Sequence, residues 1–476
     1  MGTQDRANVG SIRDGRRSYA RPMTIRSIRT GMAVFLAALS LTCVLTVVQA
    51  DATPAPGRLI PRFGDVGGVA RYVATEPTPG RVFGAINGPR GTALVLQPGT
   101  AGVAVARYLQ VGRLDRSFGR NGIALDPRSN FYLEGHLASG PGGTIVASSS
   151  EAITRFTADG KIDRSYANGG EILRDRSGTD IGLATNLVLR NGATIVVSPS
   201  FATDTPLGIF ATRYRPNGRI DRRYGKDGRA FAPIWNDYEP AAAVAMQGSR
   251  LLVLSPGEED GELFLTRLTP DGRVDRSFGS DGLTAGHRLR GRPVGMVRQP
   301  GGAIVVATSG NQLIRFGPDG KRDRSFGTRG VAVGAAPHTT LHSFIQAPDG
   351  DLIAAGAATE DGGAGGPTAL AVERLTSSGS ADPTFGSGTG YVVRSLGPEL
   401  RAGVRAAVVL PGGRLFLAGQ VAHFKRGPFG AEIVLAGLED DGTPAADFGV
   451  EGVVVTDTVS PSGTQLATMT HHSAKE

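Results

Sequence analysis

Over about residues 57–458 apolar residues come in short runs separated by glycine-bearing turns, and there they do not recur at the roughly 3.6-residue interval of an amphipathic helix. Asn191-Gly192 precedes Thr194-Ile-Val-Val197, and Pro-Asp-Gly at 348–350 precedes Leu352-Ile-Ala-Ala355. Runs of this kind, closed by Gly, Pro, Asn and Asp, predict many short strands and an all-β chain. In the region around 294–326 the pattern predicts four strands. These are Val294–Arg298, Ala303–Ala307, Gln312–Phe316 and Lys321–Phe326, joined by a Gln-Pro-Gly-Gly turn, a short loop and a Gly-Pro-Asp-Gly turn.

The strands recur as a phrase, clearest as Arg267-Leu-Thr-Pro-Asp-Gly-Arg-Val-Asp-Arg-Ser-Phe-Gly-Ser-Asp-Gly282. Seven copies end in Phe118, Tyr166, Tyr224, Phe278, Phe326, Phe385 and Phe448, and a degenerate eighth carries Phe63-Gly64, at spacings of 48–63 residues. A period of that size means stacked supersecondary units. One glycine (112, 160, 218, 272, 320, 379, 442) holds the same place in all seven copies, where a three-residue hairpin loop closes on a left-handed residue. Counting outward from that loop sets Arg107 opposite Asp115, and likewise Arg155 and Asp163, Arg213 and Asp221, Arg267 and Asp275, Arg315 and Asp323, Arg374 and Asp382. The seventh copy has Gly437 and Ala445, so both partners are lost together, as a cross-strand ion pair predicts. The pairs are expected to be structural, worth about 0.2–1 kcal/mol each if exposed. One residue further in, Tyr108/Leu114, Phe156/Ile162, Tyr214/Ile220 and Leu268/Val274 are expected to be core.

This motif resembles the bacterial delta-60 repeat over about residues 57–458, with a looser likeness to NHL-type propellers in the order of Gly turns and short strands. The resemblance implies an exported β-propeller with no assigned general activity. Ala167 in place of Gly, the added Thr389, and Ile60 and Ala445 in place of Asp depart from the pattern. Seven sets of strands imply a seven-bladed propeller of four-stranded antiparallel blades. The N- and C-terminal strands are expected to close the ring, with Leu59–Val73 near Gly449–Thr456.

The net charge of +8 owes much to seven arginines in residues 1–50, and the remainder is close to balance. Without a run of cations interleaved with aromatics, nucleic acid is not an expected partner. Residues 31–48 form an uncharged apolar stretch behind Arg26 and Arg29, followed by small residues at Val48, Ala50 and Ala52. That is the layout of a secretory signal, with cleavage near Ala50 or Ala52 and Met23 a candidate start. Retained as an anchor it would be the one membrane contact. The expected domains are an N-terminal extension and signal at 1–52, the propeller at 53–458 and a flexible polar tail at 459–476. The location is secreted, cell-surface or periplasmic. Cys43 is the only cysteine, so the exported body has no disulfide.

Candidate chemistry is sparse. The histidines (136, 287, 338, 342, 423, 471, 472) are scattered, and His338 and His342 lack the Glu and the helix of a zinc-protease motif. Glu258, Glu259, Asp260, Glu360 and Asp361 lack EF-hand spacing, and Phe-Gly-x-x-Gly leads into strand rather than the helix a phosphate loop needs. No catalytic residue, metal or cofactor is expected. The long segments Ser198–Gly208, Ser255–Gly261, Ala357–Thr368 and Gln420–Gly430 all fall on the face opposite the Gly turns, where binding evolves most easily. Trp235, Asn236 and Tyr238 could stack and hydrogen-bond a sugar, while His423, Phe424, Lys425, Arg426 and Phe429 combine aromatics with cations. The alternatives are a Trp packed between blades and a solvated basic loop. The leading reading is an exported, non-catalytic binding or scaffold module, monomeric, recognising cell-envelope polysaccharide or a surface protein. The competing readings are a sugar- or lactone-directed propeller hydrolase and a protein-interaction module.

Overall fold

Each copy makes four strands because its turns are short and rigid. In the fifth copy Pro293–Arg298 turns through Pro300–Gly302 into Ile304–Thr308, which pairs with Gln312–Phe316, and Val331–Val333 adds on the far side. The computed structural model describes residues 82–456 except 100–101, 127–134, 150–151, 174–184, 200–207, 234–241, 258, 260, 285–286, 360–366, 397–399 and 424–430. All described residues belong to the unit Ala55–Glu476. They build seven four-stranded antiparallel sheets in meander order, with three short 3-10 turns as the only helical elements among them. The blades span residues 84–126, 135–173, 185–233, 243–288, 293–333, 339–395 and 400–456.

The first strand of each blade packs on the first strands of its two neighbours, and that of blade 7 packs on that of blade 1, so the ring is closed. The closing seam is apolar: Val95, Ala106 and Tyr108 of blade 1 share a core with Phe416, Leu435 and Phe448 of blade 7. Phe416 lies 5.9 Å from Tyr108 and 5.8 Å from Phe448, ring centre to ring centre. Four consecutive strands form every sheet. The segment Leu59–Val73 lies outside the described residues.

The hairpin register read from the turn glycine is present. Tyr108 pairs with Leu114, Phe156 with Ile162, Tyr214 with Ile220 and Leu268 with Val274, each as a single bridge. Two expectations need correction. Lys321–Phe326 is not the fourth strand: after one bridge, Phe316 to Arg322, the chain turns away and the strand forms at Val331–Val333. Its cause is the Asp-x-Ser step, where Asp323 accepts the backbone N–H and the hydroxyl of Ser325 and bends the chain out of the ladder. Consequently Ile220, expected in the core, lies at the rim of its sheet and is 41% exposed.

The turn glycine has two reasons to be glycine. Gly320 has φ +81°, and a Cβ there would also sit 2.8 Å from the Phe278 ring of the preceding blade. The motif is therefore a contact between blades as well as a turn.

Candidate functional site

Six arginines of the repeated phrase each tie an aspartate of their own blade to the hairpin loop of the next. Arg107, Arg155, Arg213, Arg267, Arg315 and Arg374 pair with their aspartates at 2.8–3.0 Å, and the arginine side chains are only 7–20% exposed. Five of the guanidiniums lie 4.2–4.9 Å from the centre of the Phe or Tyr ring of the same copy. All six Nη1 atoms donate to a backbone carbonyl in the next blade's hairpin loop, at 2.6–3.2 Å: Ala158, Pro216, Pro270, Pro318, Ser377 and Asp440. Beside each, the backbone N–H after the aromatic residue donates to the following carbonyl of that loop, as Gly279 does to Asp319 at 2.7 Å. Nearly buried and charge-assisted, these bonds are stronger than the same pairs would be if exposed. Their hydrogen bonds also shift protonation. For Asp275, burial works against ionisation, but Ser277 and then Arg267 and Arg250 outweigh it and hold the carboxyl below its ordinary value.

Blade 7 makes the link differently. With Gly437 in the arginine position the Phe448 ring closes on the backbone, so that a Cβ on Gly437 would lie 2.5 Å from it. Arg414, from the start of the second strand, pairs with Glu439 at 2.7 Å and Asp447 at 2.9 Å and reaches the Gln110 carbonyl of blade 1 at 3.4 Å. Thus seven arginines link seven blades.

The two faces of the ring differ in length control. Between first and second strands six of seven turns are 5 residues long and the other 2, whereas second-to-third connections run from 2 to 10 residues. Trp235, Asn236 and Tyr238, and Phe424, Lys425, Arg426 and Phe429, lie outside the described residues. The strand ends that flank them, Arg229–Pro233 with Ala243–Gln247 and Leu415–His423 with Ala431–Leu438, belong to that variable face. They are half a ring apart. His423 ends a blade 7 strand and pairs with Leu400.

On the same face the sequence reading missed a buried carboxyl. Glu373, 1% exposed, stands on the third strand of blade 6 and faces Asn311 in the second-to-third loop of blade 5. Asn311 donates to Glu373 Oε1 and to the Ala336 carbonyl, while Glu373 Oε2 has no hydrogen-bond partner. Burial pushes the carboxyl up to about 7, partly offset by the Ala336 backbone and Asn311. A signal existed in the sequence: the equivalent residues, each just before the arginine, are Ala106, Thr154, Thr212, Thr266, Ile314 and Ala436.

The remaining polar features are separate. Burial lowers His136 and His342 to about 4, the latter helped by Arg405, and His287 packs edge-on against Phe316 at 5.0 Å. In blade 6 Arg374 also contacts Asp349, Asp351 and Asp440, so carboxylates outnumber the cation there. Among the described residues no group of three His, Cys, Asp or Glu side chains is placed to hold a metal ion.

The closed ring with its interlocked blades defines a β-propeller protein. A family model described as "Domain of unknown function (DUF5122) beta-propeller" matches residues 347–385, within the sixth copy. No curated protein matches the chain in sequence. Among solved structures, a protein of unknown function from Bacteroides caccae is similar at 14% identity over 67% of this chain and 99% of its own, with a TM-score of 0.36. Chaetomium thermophilum Raptor is 9% identical over 75% of this chain and 27% of its own, TM-score 0.44. YCF48 bound to D1 peptide is 10% identical over 73% and 92%, TM-score 0.41.

Proposed function

We propose that this chain is a delta-60-type exported propeller that acts as a binding or scaffold module at the cell envelope, without catalysis of its own. The observation that carries this reading is the division of labour between the faces. One face spends its repeated Arg, Asp, aromatic and Gly residues on joining blades at fixed turn length, while the other varies from 2 to 10 residues per loop. A rigid frame with variable loops is the arrangement on which binding surfaces are built. Fold by itself does not select the ligand. The ligand class we propose is an envelope polysaccharide, met by the rings and polar groups of Trp235, Asn236 and Tyr238 or by the loop from His423 to Phe429.

The test is a retention screen of the purified protein on glycans and envelope fractions, followed by Trp235→Ala and by Lys425→Ala with Arg426→Ala. Loss of retention by either variant at unchanged stability is the expected result. Equal retention by both, or none by the parent, overturns this reading. Processing is checked separately: intact mass of the exported chain should place its first residue just after Ala50 or Ala52.

A further inference from the structure

Blade 3 departs from its six sister blades at three positions that converge on one notch of the fixed-turn face. Where other blades carry Pro in the first-to-second turn (Gly248 in the short turn of blade 4), blade 3 has Arg190. Two residues beyond the linking arginine, Leu, Thr, Gly or Glu gives way to Arg215. Two residues beyond its aspartate, where five blades have Ser or Thr and blade 7 has Asp, stands Arg223. No other blade has an arginine at any of these places.

The third exchange costs a structural bond. Ser117, Ser165, Ser277, Ser325 and Thr384 each donate a hydroxyl to the aspartate at 2.5–2.7 Å, and Arg223 cannot. The turn keeps only its backbone bond, from the Arg223 N–H to Asp221 Oδ1 at 3.4 Å.

The three arginines border two adjoining hollows that share Leu189, Asn191 and Arg213. One, of about 430 Å³, is polar and lined by Arg215 and Arg223. Its single carboxylate, Asp221, is already taken by Arg213 at 2.8 Å and approached by Arg215 at 3.6 Å. The second, of about 540 Å³, lies between blades 3 and 4, with Arg190 at its edge and Ile195, Met246, Leu251 and Tyr224 in its wall. Five copies have Phe at the position of Tyr224; Tyr166 of blade 2 shares its buried hydroxyl without a hydrogen-bond partner, but only Tyr224 is in the wall of this hollow beside the added arginines. Its ring is 1% exposed, so the hydroxyl meets no solvent either. Both hollows are of a size that takes small organic ligands.

We propose that this notch binds a small amphipathic organic anion, its carboxylate or phosphate head against Arg215 and Arg223 and its apolar body in the hollow beside Tyr224, Met246 and Leu251. Guanidinium groups match either oxyanion with paired hydrogen bonds, and the adjoining apolar wall excludes a purely inorganic ion as the full ligand. The notch lies on the face opposite the variable loops and uses none of their residues. A negative result in the polysaccharide screen therefore leaves it standing, and the reverse also holds.

The test is calorimetric titration of the full chain with octanoate, octyl phosphate, octanol and inorganic phosphate. Saturable one-to-one binding of one or both octyl anions is expected, at least tenfold tighter than octanol or phosphate and weakened by salt. The two anionic arms distinguish a carboxylate from a phosphate ligand. Arg190→Pro, Arg215→Thr and Arg223→Ser together restore the residues of sister blades and should weaken binding at least tenfold. Arg113→Ser, at an exposed arginine of blade 1, should leave it unchanged. Arg223→Ser alone guards against failure of the triple variant to fold and should already lower affinity. Octanol binding as tightly as the acids, no saturation by any probe, or unaltered affinity in the folded arginine variants overturns the proposal.

Discussion

Removing Arg267 tests whether the repeated arginine joins blades or only decorates a hairpin. Its guanidinium pairs with Asp275 at 2.9 Å, donates to the Gln247 side chain at 2.6 Å and to the Pro318 carbonyl of blade 5 at 2.8 Å, and lies 4.4 Å from the Phe278 ring centre. Breaking a buried ion pair from one side costs about 3–5 kcal/mol, because a desolvated charge is left behind. Here Asp275 retains Arg250 at 2.7 Å and Ser277 at 2.6 Å, which lowers the figure to about 2–4 kcal/mol for Arg267→Ala. Asp275→Ala should cost a similar amount. The double variant should cost less than the sum by about 1–3 kcal/mol, since neither charge then lacks its partner. Two readouts serve: the urea midpoint of the full chain, and hydrogen exchange at the Gly279 amide, which donates to Asp319 across the same blade junction. Arg267→Ala should deprotect Gly279. Additive costs in the cycle, with Gly279 protection unchanged, would refute the inter-blade role.

Two further expectations rest on other parts of the ring. Gly320→Ala should destabilise by at least about 1 kcal/mol more than Gly301→Ala. Both glycines have φ +81°, but a Cβ at 320 meets the Phe278 ring at 2.8 Å whereas one at 301 meets nothing within 4 Å; equal melting shifts would refute this. Glu373, raised to about 7 from 4.5, holds a proton in the folded state that the unfolded chain releases, so its contribution is full below the unfolded value and lost as pH rises to about 7. Urea midpoints compared at about pH 5 and about pH 8 should therefore fall more for the parent than for Glu373→Gln, and equal falls would place the pH dependence elsewhere.

What the sequence disclosed was what is local. Strand order, the hairpin offset and the Arg–Asp register follow from turns a few residues long, because a tight loop leaves its flanking residues one way to pair. The misplaced fourth strand has an equally local cause that the hairpin pattern concealed. Lys321 to Phe326 follows a hairpin turn and so looks like the returning strand, but the Asp323–Ser325 turn overrides it, and Asp-x-Ser in most copies was the available sign. The tertiary use of the motif was not legible. No spacing says that Arg267 Nη1 ends on a carbonyl 51 residues away in the next blade, or that Gly320 lies under Phe278. The loop residues chosen as candidates, Trp235 and Lys425 among them, lie outside the described residues.

Copies within one chain serve as one another's controls, and that separates fold from function more sharply than composition does. Positions kept through the copies, the turn glycine and the buried aromatic, answer to packing between blades. A joint change such as Gly437 with Ala445 answers to the same demand, since Phe448 closes on the backbone and Arg414 takes over the link to blade 1. Departures without such compensation need another explanation. Glu373 buries a carboxyl oxygen with no partner where sister blades have Ala, Thr or Ile. Arg223 forgoes a turn hydrogen bond that five copies make, and it does so beside Arg190 and Arg215, which also depart from the copies. One uncompensated change is a tolerated accident. Three that place cations around two adjoining hollows, one of them walled by Tyr224, Met246 and Leu251, supply what the proposed anion would need and what the average repeat has no means to offer.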